Sequence, residues 1–562
     1  MTTDQNYQQI YRVGGMLDAG FVGQITYTIS LDQVYDELDI HFSFDKRLYS
    51  ESDVTPKLID KLQTLCTAKY DAPTYPVEEF RQTILHEMKT EIHTMAELND
   101  NFIGCIHRQL TDRHMLYTKE FTSDGCLAQD TFSGVLKVTV LVFNVLLDNT
   151  QYTLTVSGHP VGQGVIAPNF NLMDTLKTAA GNAGASNAAG SADNSCEAES
   201  APASAVATAG SSSAGNTVTA STRFKRLELH NHTVESDGSL TCQELTEYLA
   251  ADHVDAFAIT DHNTTSGQKK IEQLLEEKHY PISLIRGMEY TTYFGHILCL
   301  NLAKYVPWNS IDQHRPELLF EAAREKGALV GIAHPFSYGD PFARGCRFEM
   351  TISDYSKVDF IEIFNNPEPL HEVNERGTNL WISLIFSGYQ ITATSGMDLH
   401  NRAKLAGCYA TYIEGKNGGN IASELDTAIH THRTWVSKGA LLLTEVLPET
   451  NELLLTFTDA HKPGFAVPKT AQVVLKGKDK TFTTSVSLDK PVRVSLNQLS
   501  GTDPIIPLLY EAASDSCVNA AAASTSCSNT ADTSSAAGQL KEIDALPAIE
   551  GLLCVSPVLY RD

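Results

Sequence analysis

At 562 residues the chain exceeds what one hydrophobic core organises, so three or four packed units are expected. Apolar residues make up 42% and charged residues 20%, the balance of a soluble globular protein, and no run approaches the roughly 18 apolar residues of a membrane span. Asp plus Glu outnumber Lys plus Arg by 68 to 42; the net charge of −26 repels polyanions and speaks against a long nucleic-acid groove, while bound cations would still admit a small anionic substrate.

The N-terminus, MTTDQNYQQIYRVGG, has neither the basic region nor the apolar run of a signal peptide. The first 170 residues carry strand-like runs with alternating apolar side chains, GQITYTISL, LDIHFSF, GVLKVTVLVFNVLL and QYTLTVSG, around a helical stretch near Pro76–Leu98. This predicts a β-rich N-terminal domain over 1–170, a sandwich with helical insertions. It shows no catalytic pattern, and His86 and His107 read as isolated surface or core histidines.

From 175 to 222 the chain is almost wholly Ala, Gly, Ser, Asn and Thr, and this composition returns over 512–538. Such segments bury too little apolar surface to offset their ordering entropy, so a disordered linker and a disordered insertion are expected. Over 223–440, short apolar strands (RLELH, DAFAITD, ISLIRGMEY, ALVGIAH, DFIEIFN, YQITATSG) alternate with helical stretches near Thr241–Asp252, Gly267–Lys278, Pro316–Lys326, Glu372–Phe386 and Ile421–His430. That alternation argues for a parallel α/β unit. The remainder, 441–562, reads as a small β domain carrying the disordered insertion. The eleven cysteines are scattered and form no CxxC pair, which fits a reducing, cytoplasmic setting rather than a disulfide framework.

In the α/β unit, side chains able to bind metal fall at the C-terminal ends of successive strands. His230 and His232 end the first, two apart and so on one face, with Asp237 in the following loop. His262 ends the second; Glu289 ends the third, with His296 on its continuation; His334 ends the next; Asp398 and His400 end a later one. An HxH pair alone is commonplace, His334 alone would be an ordinary core histidine, and Asp237 beside Gly238 an ordinary turn residue. The shared phase points to a site, because loops converge at this end of α/β barrels.

Six histidines and three carboxylates suffice for two or three ions, and nitrogen and oxygen donors without thiolate suit divalent Zn, Mn or Fe. Asp261 is expected to orient a ligand histidine, with Asn263, Glu362 and Asn365 in similar roles. Arg286, Arg344, Arg347 and Arg402 are candidates for holding an anionic group, Arg344 in substrate binding and Arg402 in catalysis. The other histidines, His253, His279, His314, His371, His430 and His432, lack this phase and read as structural.

The ordered set HNH…SDG, TDHN, GMEYTTYFGH, AHP, IEIFNN and GMDLH resembles the PHP (polymerase and histidinol phosphatase) superfamily. Within it the chain is similar to the CehA/McbA-type metallohydrolases, the branch related to carbaryl hydrolase, which also has a β-rich N-terminal domain. Asn379-Leu380-Trp381 followed by Ser387-Gly388 shares that likeness, which is strong over about 224–440 and loose elsewhere. The resemblance implies a distorted (β/α)7 barrel flanked by the two β domains, and a di- or trinuclear site. Its ligands would be His230, His232, Asp237, His262, Glu289, His296, His334, Asp398 and His400, with Glu289 bridging. Glu235, Met397 and Leu399 depart from the usual pattern without removing a ligand.

Ions at such a site activate water and neutralise charge in the transition state, so no Ser or Cys nucleophile is required. A phosphoesterase for small phosphorylated molecules or nucleotides is the first expectation. A carbamate, amide or ester hydrolase on the same centre is the alternative. A non-catalytic metal-binding module is the third, which a missing Glu289 or Asp398 would have favoured. Oligomeric state leaves no signal in the sequence.

Overall fold

The computed structural model describes residues 7–70, 74–161, 223–311, 314–367, 372–499, 503–512, 541–542 and 549–560. The linker expected over 175–222 lies outside them, as does all but the first residue of 512–538.

The N-terminal part contains β1 (Gln8–Leu17), β2 (Gly23–Phe44), α1 (Pro56–Tyr70), α2 (Val77–His86), β3 (Glu91–Leu98), β4 (Asn101–Ile106), β5 (Asp112–Tyr117), β6 (Phe132–Asn144) and β7 (Thr150–Pro160). A sandwich of two sheets is expected; one seven-stranded sheet is found, ordered β1-β7-β2-β6-β3-β4 with β5 attached to β2. The 22-residue β2 changes partners near Tyr35, its first part pairing β6 and its second lying between β7 and β5. Ile29 and Leu31 from one part and Leu38, Ile40 and Phe42 from the other enter one core, so a single ladder does the work of two.

The helix expected over Pro76–Leu98 stops at His86, and Glu91–Leu98 is strand. Nearly every side chain of β3 is buried, so no polar alternation marks it as a strand. Helix α1 was not expected from the sequence; its apolar positions Ile59, Leu62 and Cys66 pack on α2 through Phe80 and Ile84.

The middle part contains β8 (Arg223–Glu228), α3 (Cys242–Ala251), β9 (Ala256–Ile259), α4 (Ser266–Lys278), β10 (Ser283–Thr292), β11 (Gly295–Leu300), α5 (Glu317–Arg324), β12 (Leu329–Ile332), β13 (Phe360–Phe364), α6 (Glu372–Phe386), β14 (Thr392–Ser395), β15 (Ala410–Gly415), α7 (Ile421–His430) and β16 (Thr434–Ser437). The helices lie where the sequence places them. Thr241 opens α3 as a capping box, its side chain accepting from Glu244 N while the Glu244 carboxylate accepts from Thr241 N.

β8, β9 and β10 are parallel, as are β12, β13 and β14, but β11 runs antiparallel to both neighbours. The unit is therefore mixed rather than wholly parallel. Its ladder is an open path of 14 strands that continues through β15 and β16 into the C-terminal part, not a closed ring. The ends of the β8–β14 run do meet at one parallel bridge, Asn231–Leu399. There His232 N donates to Leu399 O at 3.0 Å and Leu399 N to His230 O at 3.1 Å.

The C-terminal part holds β17 (Ala440–Leu447), β18 (Glu452–Asp459), β19 (Thr470–Lys476), β20 (Thr481–Ser487), β21 (Val492–Ser495), β22 (Ile506–Glu511), β23 (Lys541–Glu542) and β24 (Leu552–Val555). Only β17, β18 and β21 form a separate sheet; the others extend the large one through β16–β24. One apolar cluster joins all three parts, with Met95 and Phe143 packed among Met288, Tyr290 and Ile297, and Val474 and Leu508 at its far side. No described helix is long and apolar enough to cross a membrane.

Candidate metal centre

The nine expected ligands come together. Glu289, three residues before the end of β10 and wholly buried, lies among five of the histidines. Its Oε2 is 3.2 Å from His230 Nε2, 3.4 Å from His232 Nε2 and 2.9 Å from His262 Nδ1. Its Oε1 is 2.9 Å from His296 Nδ1 and 3.0 Å from His334 Nε2. Asp398 Oδ1 lies 3.0 Å from His232 Nε2 and 3.4 Å from His230 Nε2. Asp237 Oδ1 lies 3.3 Å from His400 Nε2 and 3.6 Å from His262 Nε2. His296 joins because β11 is reversed: its start, not its end, lies beside the C-terminal ends of its neighbours.

Within the nine, three groups have ligand atoms within 4.8 Å of one another: His232, Asp237, His262 and His400; His230, His232, Glu289 and Asp398; and His262, Glu289 and His296. They share His232, His262 and Glu289, so neighbouring sites would have ligands in common. His334 Nδ1 donates to Cys346 O at 3.2 Å and His400 Nδ1 to Asp398 O at 2.9 Å, which turns each Nε2 toward a carboxylate.

The strand ends that carry these groups are tightly fitted. A Cβ on Gly396 would stand 2.5 Å from His230 Cβ and 2.6 Å from Glu362 Oε1, so the GMDLH motif needs its glycine. His334 and Asp398 hold left-handed backbone at φ 24° and 50°, unfavourable conformations of the kind that cluster at functional sites.

Burial opposes ionisation of Glu289, Asp398 and Asp237, and the histidines outweigh it, holding all three well below the usual carboxylate range. Every ion pair described for these carboxylates is to a histidine. Burial likewise opposes the charged His400, but Asp237 and Asp398 overcome it and raise this residue to about 10; Glu289 and Asp398 raise His230 well above its ordinary value. Burial prevails at His232, which falls to about 3, and at His262, which falls to about 4.

Of the four supporting residues expected, Glu362 and Asn365 stand behind the ligands, whereas Asp261 and Asn263 are engaged elsewhere. Asp261 orients no histidine: its carboxylate accepts from Thr233 N at 2.7 Å, Thr233 Oγ1 at 2.8 Å and Ser236 Oγ at 2.7 Å, fastening the loop that leads to Asp237. Glu362 orients the ligands, accepting from His230 Nδ1 at 3.0 Å, His334 N at 3.0 Å and Asn365 Nδ2 at 3.0 Å. Asn263 instead brackets Thr291, accepting from its N at 3.1 Å and donating to its O at 2.9 Å.

A cavity of about 140 Å³ opens over Asp237, Asp398 and His400, and Arg344 lines it. Arg402 does not: it is exposed and lies 5.7 Å above the Tyr248 ring. Arg286 pairs with Glu272, and Arg347 stacks on Tyr70 and Phe336. The sequence reading missed Lys89, Glu91 and His107 of the N-terminal part, which line the same cavity. Nothing in their spacing marks them, and only packing brings them there.

Parts of the chain are similar to known proteins. Residues 7–160 match a family of unknown function, DUF6669. An uncharacterized protein of Methanocaldococcus jannaschii is 30% identical over 112 residues, 20% of this chain and 58% of that one. A 5'-3' exoribonuclease of Haemophilus influenzae is 36% identical over 141 residues, 24% of this chain and 50% of that one. The chain thus spans about half the length of these relatives. A two-domain Bacteroides vulgatus protein, described as containing a PHP-like metal-dependent phosphoesterase, superposes with a TM-score of 0.31 at 15% identity, covering 51% of this chain and 90% of its own. The architecture therefore rests on the strand pairing above.

Proposed function

We propose that this chain is a metal-dependent hydrolase of the PHP type, a phosphoesterase for small phosphorylated molecules or nucleotides that works by direct attack of water. One observation carries the reading. His230 Nε2, His232 Nε2, His296 Nε2, Asp237 Oδ1, Glu289 Oε2 and Asp398 Oδ1 are buried and make no hydrogen bond, although all but His296 Nε2 lie at ion-pair distance from a histidine or carboxylate partner. Each such atom costs about 1–3 kcal/mol when left unsatisfied, and divalent cations among them would offset that cost and the carboxylate charge together.

The donor set fits two or three Zn, Mn or Fe ions held by the nine residues, which would supply Lewis-acid activation of water and charge neutralisation at the scissile group. The chain's own residues do the rest. Glu362 fixes His230 and the His334 backbone, Asp261 fixes the loop bearing Asp237, and Arg344 offers the cavity a guanidinium for anionic oxygens. Cys346 also lines the cavity, but burial pushes its thiol well above the ordinary range, so it stays protonated and a poor nucleophile.

The exoribonucleases among the relatives act on phosphoesters, which favours that bond over a carbamate. The test is kcat/KM of the metal-loaded protein on aryl phosphates, nucleoside monophosphates, aryl esters and carbamates. The phosphates should lead by tenfold or more; a lead of that size for esters or carbamates overturns the phosphoesterase assignment.

A further inference from the structure

We propose that the N-terminal sheet completes the metal centre, with His107, just beyond β4, acting as the positioning residue of Asp237. The inference rests on the metal-centre reading above and adds a part of the chain outside the PHP-like unit.

The two oxygens of Asp237 are divided between the two parts of the chain. Oδ1 faces His262 and His400, whereas Oδ2 is 3.4 Å from His107 Nε2. The His107 ring, 5% exposed, also stacks on His262 at 4.1 Å between centroids. Behind it stand His93 at 3.9 Å and, behind that, Phe143 at 4.4 Å. A carboxylate ligand whose second oxygen is paired with an imidazole nitrogen at this distance is limited in angle and depth, the role partners behind a ligand play at metal sites.

The loops that carry Asp237 and His262 are clamped to the same region. Arg108 Nη2 donates to Gly238 O at 3.1 Å, Gly125 N to Glu235 Oε2 at 3.0 Å, and Thr264 Oγ1 to Gly125 O at 2.9 Å. At Gly125, φ is 79°, and a Cβ would stand 2.3 Å from Cys105 O and 2.9 Å from Glu235 O. Position 125 thus tolerates no side chain, and the backbones of the two parts approach closely beside the His107–Asp237 contact.

The experiment compares full-length wild type, His107→Phe and His107→Gln by elemental analysis after loading with Zn or Mn, and by chelator competition. Phe keeps the ring against His262 but removes the donor; Gln keeps an N–H. H107F should melt close to wild type yet lose one ion per chain, or bind that ion about 10–100-fold more weakly, and H107Q should recover most of the loss. Should H107F not fold, His107→Asn, polar but too short to reach Asp237, gives the same comparison. Wild-type ion number and affinity in the folded variant overturn the inference alone. A wild type that takes up no metal overturns the metal-centre reading and the inference with it.

Discussion

Two histidine-bearing regions meet at this site, and they are built differently. In the middle part the ligands lie on or just beyond the strands or, like Asp237, in the loop that follows one, and the sheet brings all nine to one place. In the N-terminal part His93 lies on a sheet with its own core and His107 just beyond it, and His107, backed by His93, reaches the site across a seam of loop contacts. The first region holds the charge that calls for cations, with Glu289 at its centre; the second holds one of the carboxylates in place. Placement of donors is therefore a task of the middle part alone, whereas support is shared between it, through Glu362 and Asp261, and the N-terminal part, through His107.

That comparison is broken most severely by removing a donor. Glu289→Ala or Asp398→Ala should lower bound metal and cut turnover by about a hundredfold or more, since losing a mere support costs about 10–100-fold. Near-normal turnover in either variant would mean the cluster is not the reactive centre. Glu362→Ala comes next, with a loss of about 10–100-fold, because His230 and the His334 backbone lose their shared acceptor while all nine donors remain. An effect as large as that of E289A would erase the distinction between donor and support.

Protons sharpen the same point. In the metal-free chain His400, at about 10, and His230, raised well above its usual value, carry protons at neutral pH. Ions must displace them, so affinity should climb with pH through the neutral range and metal uptake should release protons. Calorimetry in two buffers of different ionisation enthalpy reads this directly; binding that strengthens on acidification would contradict it. The smallest effects separate two arginines. Arg344→Gln should raise KM for aryl phosphates severalfold with kcat little changed, while Arg402→Ala, exposed over Tyr248, should stay within about twofold of wild type.

Much of the middle part was legible because its signals are local. Strand, helix and ligand recur in phase, and Cys242–Ala251 or Ile421–His430 fall where the pattern places them. The reversed β11 was hidden because Gly295–Leu300 reads as a continuation of the strand bearing Glu289, and nothing in its spacing records that the chain turns back there to bring His296 to the site. Asp261 and Glu362 exchanged importance because a buried carboxylate's partner is chosen by packing, which spacing does not record. His107 was invisible for the same reason: a lone histidine 130 residues from Asp237 acquires its role only when two sheets pack. β3 misled because a strand buried on both faces loses its polar rhythm.

The central claim, that the nine residues form a metal centre, is tested most directly by elemental analysis of the purified protein before and after chelation, with activity followed in parallel. The account predicts two or three transition-metal ions per chain, loss of turnover on chelation, and recovery with Mn or Zn. Absence of stoichiometric metal even after reconstitution, or turnover that survives complete chelation, would contradict it.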